Sequence, residues 1–464
     1  MSKAATTVLW GLLISVCCFL YGLVSFPNVL TPSWYGWLGA ILTLSLLGAA
    51  IYFKWPLPCL LRLSLVISPG LVVALFVLLG RSKVLFTASA MRYQTDWLAV
   101  EILLLSVLAA YSSTVGWVLA GDGLRSEVTV APLPDNQFRT RFLLYAGIAV
   151  VCGTMAAGAL SGFFWQGSFD YVGMRPAWNI GIFSVFAIFS ILGMYLLLLI
   201  QPGARKSYWL TFSIIAIYVL VFCLLLRGAR LDVAGILIAA YAVTQLYKRY
   251  PVKPFRLMGY ALLGIVVVQF LGKWRHQSIH GAGDFSFEIL PTGFIDGVPY
   301  PHLPTLADVA ATLFQVVGLI HEGYLSLQMG ETYWNYFPRT LPYFLYPGRP
   351  LDFSISGING QAMTGSLFEL TEAYVNFGVV GCMLIPAGIT YVFGRAYRHA
   401  HTHPSFGSYM LYGLLIAIVI RGTWYQNFSF YKATLSWAIM EGLIAVLMII
   451  SNKLTGHYGK AGVA

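Results

Sequence analysis

Two arginines, Arg227 and Arg230, lie three positions apart between two apolar stretches of the chain. In a continuous helix this spacing places both guanidinium groups on one face. Arginine presents planar, forked N–H donors that match phosphate oxygens, and each charge-assisted hydrogen bond contributes about 1.5–3 kcal/mol. That gain is comparable with the roughly 2.5–3.5 kcal/mol needed to insert an arginine at mid-membrane. The pair therefore predicts a site for a phosphate-bearing lipid. The alternative is that both side chains extend to lipid headgroups, with Asp232 as a partner.

Further cationic residues follow along the chain. Arg421 ends an apolar stretch, either as a second phosphate ligand or as an interfacial anchor beside Trp424 and Tyr425. Arg275 opens a long polar segment, where a headgroup anchor explains it equally well. The segment 337–350 is rich in proline and aromatic residues, so it should hold its side chains in fixed places. We expect aromatic faces to stack on sugar rings there and arginines to meet hydroxyls or a phosphate. The candidates in this segment are Arg339, Tyr346 and Arg349.

A proton acceptor is predicted in the same polar segment or directly after it. Histidine suits general-base chemistry near neutral pH, and His321 is followed by Glu322, a carboxylate that could orient it. Glu372, just before Tyr374, is a second candidate base, or alternatively a polar cap for the helix that follows. Tyr374 is a candidate sugar contact. The sequence contains neither a metal-binding spacing such as HExxH nor a glycine-rich phosphate loop, so no metal or other cofactor is expected.

The elements that position these residues are predicted to be membrane helices. Of the 464 residues, 58% are hydrophobic and 10% are charged, against about 25% charged in soluble domains. About twelve apolar stretches are long enough to span a bilayer. They are predicted at 5–25, 34–53, 61–80, 97–120, 141–164, 180–201, 208–226, 231–247, 255–272, 374–394, 407–421 and 431–451. The fold class is therefore an all-α polytopic membrane protein.

The distribution of lysine and arginine predicts the orientation. With the N-terminus inside, more than half of the 28 basic residues, Lys54 and Arg62 among them, fall on short inner segments. Residues 1–272 then form helices 1–9, and 374–464 form helices 10–12 with a short cytoplasmic tail. The segment 273–373 lies outside and is predicted to be a functional lid. The net charge of +11 reports orientation, so no nucleic-acid partner is expected. The six cysteines avoid the outer loops, which argues against disulfides.

Inside the lid, residues 305–328 show helical periodicity. Thr305 followed by Asp308 resembles a capping start, and an apolar face runs from Val309 to Leu327. The uncharged run is too short to span a membrane. The sequence therefore predicts a helix that lies on the membrane surface or packs over the spans.

Three features in the second half of the chain resemble a known family. They are Arg230 in the sequence GAR at the end of a span, PYFLYPGRP at 342–350, and GSLFELTEAYVNFGVVGCMLIPAGITYVFG at 365–394. Arg421 followed by Gly422 after the next span adds to them. Together they resemble the oligosaccharide repeat-unit polymerases of bacterial surface polysaccharides, the Wzy-type O-antigen and enterobacterial common antigen polymerases. The first half contributes only its pattern of spans.

The resemblance implies a GT-C-like architecture in the bacterial inner membrane, with the active site facing the periplasm. It also implies that a growing glycan on undecaprenyl pyrophosphate is transferred to a hydroxyl of the next lipid-linked repeat unit. Such enzymes use neither a metal nor a nucleotide sugar. Their partners include the lipid-linked oligosaccharides, the bilayer, a chain-length regulator and a flippase. The pyrophosphate-binding arginines of the family correspond to Arg230, Arg421 and Arg349, and neutralising the departing pyrophosphate is the main electrostatic contribution.

Two other functions remain open at this point. An O-antigen ligase shares the polytopic plan, the outer arginines and the large loop, but it transfers glycan to lipid A core. A flippase for lipid-linked sugars is the alternative from a different class, and it usually has symmetrical halves and ionisable residues within its spans. Here only Glu101, Glu441 and Asp96 fit that description, which favours the polymerase.

Overall fold

The structure is a computed structural model in which helices dominate. It describes residues 37, 39, 41, 46, 48, 55–78, 96–121, 130, 132–156, 180–225, 230–248, 292–295, 298–301, 304–340, 346, 348, 367–424 and 427–461. The predicted spans at 5–25 and 255–272, and most of 34–53, lie outside these residues. Within the described residues, five helices are long and apolar enough to cross a membrane. The chain is therefore a helical membrane protein, as its composition predicts.

Among the described residues of the first half, six helices with defined ends each overlap a predicted span, although several of their ends lie some residues away from the predicted ones. They are α1 (Leu57–Leu78), α2 (Asp96–Leu119), α3 (Asp135–Ala156), α4 (Ile180–Ile200), α5 (Lys206–Ile217) and α6 (Arg230–Lys248). A π-helical segment, Tyr218–Leu225, continues α5 toward the predicted arginine pair. The second half adds α7 (Pro304–His321), α8 (Glu331–Trp334), α9 (Tyr336–Thr340), α10 (Glu369–Thr402), α11 (Phe406–Ala417), α12 (Val419–Trp424) and α13 (Phe428–Ala461).

A short antiparallel hairpin lies in the predicted lid. Its strands are β1 (Thr292–Ile295) and β2 (Val298–Pro301), with Thr292 opposite Pro301 and Ile295 opposite Val298. The prediction of an all-α protein is therefore correct for the membrane helices but omits this small element.

Helix α7 differs from its prediction at its C-terminal end. It begins at Pro304, one residue before the predicted start, because proline suits the first turn of a helix. It ends at His321 rather than at 328, and Gly323 follows with a φ of +75°. Val309, Leu313 and Val316 are fully buried against α1, α2 and α10. The helix therefore packs among the spans, as one of the two predicted alternatives requires. We call the end of the helices that carries residues 304–340 the loop end.

Small residues bring the main helices close together. Gly116 of α2 contacts the backbone of Ala387 in α10 so closely that a Cβ atom would overlap its carbonyl oxygen, and Gly394 packs on Ala120. Gly235 of α6 contacts Ala417 of α11 in the same way. Such glycines let membrane helices pack backbone to backbone. Gly116 contacts Ala387, and four residues later Ala120 contacts Gly394. The residue numbers of both helices therefore increase in the same direction, and α2 runs parallel to the 379–402 segment of α10.

The predicted span at 374–394 lies within α10, which is long and apolar enough to cross a membrane, but α10 is two helical segments joined at Gly378, a break that the sequence did not predict. Gly378 has φ +61° and ψ −145°, a conformation that only glycine adopts readily. The Cys382 thiol lies 3.6 Å from the Leu370 carbonyl oxygen, whereas twelve residues of straight helix would separate them by about 18 Å. Segment 369–377 therefore folds back along 379–402, and its first residue, Glu369, points into the protein.

Candidate functional site

Arg421 is held by Asp232 at the start of α6. Its Nη1 donates to Asp232 Oδ2 at 2.7 Å; the Asp232 side chain is 8% exposed and the Arg421 side chain is 46% exposed. Asp232 was predicted as a partner for Arg227 or Arg230; in the structure it pairs with Arg421, while Arg227 and the side chain of Arg230 lie outside the described part of the chain. The reason is tertiary: α6 and α11 pack side by side, so the start of α6 meets α12.

The same contact places Arg421 at the N-terminal end of α6. Arg230 is the first residue of α6, two positions before Asp232, so Arg421 lies beside the helix end that Arg230 begins. Arg227, Arg275 and Arg349 lie outside the described residues. A helix N-terminus and arginine guanidinium groups both favour an anion. The chemistry of this end of α6 therefore suits a phosphate or pyrophosphate group.

His321 forms the centre of a second polar group at the loop end. Its Nε2 lies 3.4 Å from Glu101 Oε1 and 3.5 Å from the Tyr374 hydroxyl, which itself lies 3.3 Å from Glu101 Oε1. The orienting carboxylate is thus Glu101 of α2, and not the predicted Glu322. Glu322 is exposed, because α7 ends at His321 and the chain turns away.

The environment of His321 suits a proton acceptor. Half of its side chain is exposed, whereas Glu101 and Tyr374 are buried. The hydrogen bond to Glu101 raises the pKa of His321 above its ordinary value of 6.5, and the negative charge of Glu101 adds to this, while burial acts in the opposite direction. With Nε2 facing Glu101, the second ring nitrogen, Nδ1, is the atom that can take a proton from a substrate. Tyr374 was predicted as a sugar contact, but its side chain is buried and its hydroxyl contacts both Glu101 and His321.

Glu372 has a different setting from His321. It is almost fully buried, and its Oε1 accepts hydrogen bonds from the Tyr336 hydroxyl and from Thr332 Oγ1, the latter at 2.9 Å. Burial and the Glu372 charge raise the pKa of Tyr336. Asn376 Nδ2 donates to Thr332 Oγ1 at 2.7 Å, and the Met329 amide donates to the Asn376 carbonyl at 3.1 Å. Glu372 therefore fastens residues 328–336 onto the folded-back segment of α10.

The aromatic segment 337–350 is described only in part. The Arg339 guanidinium lies 4.5 Å from the ring centroid of Phe428, at the start of α13, and about 40% of Tyr346 is exposed. Phe428 also packs against Tyr336, with centroids 5.2 Å apart. Arg339 is thus placed over an aromatic ring at the loop end, near the segment that Glu372 holds.

Arg62 and Glu369 form a fully buried ion pair that the sequence did not predict. Arg62 Nη1 and Nη2 donate to the two Glu369 oxygens at 2.8 and 2.7 Å, and Arg62 also bonds to Thr423. Arg62 was predicted to lie on an inner segment, but it lies inside α1 with neither side chain of the pair exposed. Its guanidinium is 5.8 Å from the Phe393 ring centroid. This pair places α12, which carries Arg421, relative to α1 and α10.

Sequence reasoning missed Glu101 as the partner of His321, although a signal was present. Placing an ionisable residue within an apolar span costs free energy, so such residues are usually functional. Glu101 was considered only in weighing a flippase, and not as a partner for a base. Arg62 and Glu369 are 307 positions apart, and no local pattern relates them. Within the described part of the chain, no group of three or more His, Cys, Asp or Glu side chains could hold a metal ion.

In comparisons with known proteins, no protein-family model, no curated protein and no solved structure matches the chain significantly.

Proposed function

We propose that the chain is a polysaccharide polymerase of the bacterial inner membrane, with its loop end in the periplasm. Its donor is a growing glycan on undecaprenyl pyrophosphate, and its acceptor is the next lipid-linked repeat unit. The observation that carries the proposal is the Arg421–Asp232 ion pair at the start of α6, and the His321–Glu101–Tyr374 group supplies a candidate base. A cation for a leaving group and a base for an acceptor are the two requirements of glycosyl transfer from a lipid pyrophosphate.

The proposed reaction uses these groups in one displacement. Neutral His321 takes the proton of an acceptor hydroxyl as its oxygen forms a bond to the anomeric carbon of the donor sugar. The bond between that carbon and the pyrophosphate oxygen breaks, and its electron pair leaves with undecaprenyl pyrophosphate. Arg421 stabilises the added negative charge, and a fixed cation does so without reorganisation. His321 is preferred to Glu372 as the base because Glu372 is buried and already accepts two hydrogen bonds.

Asp232 prepares Arg421 for this role. A buried carboxylate that bonds one edge of a guanidinium restricts the rotamers of a long, half-exposed side chain. The acidic residue also lowers the net positive charge of the site, so the product pyrophosphate is released more readily than from an unpaired arginine. Asp232 is therefore a positioning residue, and Arg421 is the ligand.

The test is a gel of surface polysaccharide from cells that lack the protein and carry variants on a plasmid. Loss of the protein should leave a single repeat unit on lipid A core, and wild type should restore the ladder. Arg230→Ala and Arg421→Ala should leave the single rung at normal protein level. Arg205→Ala is the matched control, because Arg205 is exposed beyond Ile200, at the end of the helices opposite the loop end.

Three outcomes separate the candidate functions. A ladder that collapses to one rung indicates a polymerase, whereas loss of every rung indicates a ligase or a flippase. Purified protein with donor and acceptor lipids should lengthen the glycan without lipid A core. Chains of wild-type length from both arginine variants would contradict the pyrophosphate assignment.

A further inference from the structure

A cavity of about 240 Å³ lies between helix ends, where α3 and α11 begin and α4 ends. Its polar residues are Gln201 and Ser405, and the rest of its wall is apolar, formed by residues such as Leu133, Ile200 and Phe406. A water molecule takes about 30 Å³, so the cavity has room for a small polar headgroup but not for a whole lipid. None of the candidate site residues described above lines it.

Gln201 has one unmet polar atom at this cavity. Its Nε2 donates to Asp135 Oδ1 at 3.4 Å, whereas its Oε1 is buried and accepts no hydrogen bond within the described part of the chain. Ser405 is already engaged, because its hydroxyl caps α11 by accepting from the Ser408 amide. Buried polar atoms are nearly always paired. The cavity therefore suits a group that donates an O–H or N–H to Gln201.

Arg141 supplies a cation beside the Phe406 wall of the cavity. Its guanidinium carbon lies 5.2 Å from the centre of the Phe406 ring, and its Nε contacts the Met448 sulfur at 3.0 Å. Glu441, a carboxylate near Arg141, accepts a hydrogen bond from the Tyr145 hydroxyl, and no salt bridge joins these two described residues, Glu441 and Arg141. Because a thioether sulfur is only a weak acceptor, the half-buried guanidinium has donors left for an anion.

The depth and the charges of this region suit a lipid of the membrane. Arg141 lies about two turns inside α3, a candidate membrane span. Farther along α3, Leu143 and Val151 are exposed and form an apolar surface for acyl chains. The described residues at these helix ends include one acid, Asp135, and the basic residues Arg139, Arg141, Arg205 and Lys206. Basic pockets between membrane helices bind anionic lipid headgroups.

We propose that this cavity and Arg141 bind an anionic phospholipid whose headgroup carries a hydroxyl. The phosphate bonds to the Arg141 guanidinium, the headgroup enters the cavity and donates its hydroxyl to Gln201 Oε1, and the acyl chains follow the apolar face of α3. The unmet acceptor requires a donor, and the basic surroundings favour a net negative charge. Phosphatidylglycerol has both, whereas phosphatidylcholine has neither. The site does not depend on the proposed function.

Native mass spectrometry of the purified full chain in detergent tests the site. The probes are phosphatidylglycerol, phosphatidylmethanol, which keeps the charge but lacks the hydroxyl, and phosphatidylcholine. Wild type should bind them with decreasing affinity in that order. Arg141→Gln should weaken phosphatidylglycerol binding about tenfold, and Gln201→Leu about fivefold with loss of the preference over phosphatidylmethanol. The control Arg395→Ala removes an exposed arginine of α10 that does not line the cavity, and it should bind as wild type does.

Thermal unfolding gives a second readout: phosphatidylglycerol should raise the Tm of wild type and of Arg395→Ala more than that of Arg141→Gln. Equal affinity of wild type for phosphatidylglycerol and phosphatidylcholine would overturn the proposal, and this comparison needs no variant. Undiminished phosphatidylglycerol binding by Arg141→Gln, or an unchanged preference over phosphatidylmethanol in Gln201→Leu, would overturn it as well. Displacement of the lipid by an equal concentration of free glycerophosphate would show that the site takes a soluble anion and would overturn the lipid assignment.

Discussion

Arg62 and Glu369 form a bidentate ion pair in which neither side chain is exposed, linking α1 to the first residue of α10. Taking two charges out of water is costly, so such a pair persists only with good geometry and further hydrogen bonds. Thr423 supplies one of these bonds. Because Glu369 lies on the folded-back segment and Thr423 on the helix that carries Arg421, the pair fixes the position of both relative to α1.

We expect Arg62→Met alone to destabilise the protein by about 3–5 kcal/mol, because it leaves Glu369 buried and unpaired. The double variant Arg62→Met with Glu369→Met should recover most of that loss, since apolar side chains replace both charges. Thermal unfolding in nanodiscs measures both. Glu322→Gln, at an exposed site, should unfold as wild type does. A double variant as unstable as the single one would show that the charge pair is not the cause.

Gly378→Ala should destabilise the protein by about 1–3 kcal/mol, because alanine avoids the φ of +61° and ψ of −145° that join the two segments of α10. Gly388 is the matched control: it lies in the same helix, and a Cβ there would meet no atom within 4 Å. Gly388→Ala should be neutral or slightly stabilising. The two variants are compared by thermal unfolding and by yield. Equal behaviour would argue against the reversal at Gly378.

Arg421→Lys should lower polymerisation by about 10- to 100-fold, because lysine retains the charge but not the forked donors, and each charge-assisted bond contributes about 1.5–3 kcal/mol. Asp232→Asn should cause a smaller loss, expressed mainly in KM for the lipid donor, because Arg421 remains but is less well oriented. Rates are measured with purified donor and acceptor lipids. Full activity of Arg421→Lys would favour simple charge attraction over forked recognition.

The activity of the wild-type protein should fall as pH decreases through a value above 6.5, because the base must be neutral and the hydrogen bond to Glu101 raises the pKa of His321. Glu101→Gln removes the negative charge, so its acidic limb should move to lower pH. His321→Ala should lose activity at every pH. Profiles of kcat against pH check this. An unchanged limb in Glu101→Gln would exclude His321 as the titrating group.

Sidedness is tested by labelling. Ser326 is exposed after α7 at the loop end, and Ser207 is exposed near the start of α5. In whole cells with a permeabilised outer membrane, an impermeant maleimide should label Ser326→Cys but not Ser207→Cys, above the background of the native cysteines. Lysis should make Ser207→Cys reactive. The opposite pattern would place the loop end in the cytosol, where no lipid-linked donor of this kind is presented.

The candidate site could be predicted in part from residue type alone, because arginine is a cation that can bind an anion and histidine is a base near neutral pH. Arg421 and His321 were both identified from their positions at the ends of apolar or periodic segments. The partner of His321 was assigned wrongly, to Glu322, and Asp232 was not foreseen as the partner of Arg421, because sequence reasoning looks first to neighbours along the chain. In the packed structure the partners are carboxylates from distant helices: Glu101 for His321 and Asp232 for Arg421.

The sequence by itself determined that this chain enters a membrane, which of the described segments form its long helices, and which cations are candidates for binding phosphate. Those properties follow from local composition and from periodicity, which each segment carries alone. Only the tertiary structure decided that Glu101 serves His321, that Asp232 serves Arg421, and that Glu369 turns inward to meet Arg62. Such pairings depend on which helices pack together and on the reversal at Gly378, and hence on contacts hundreds of residues apart.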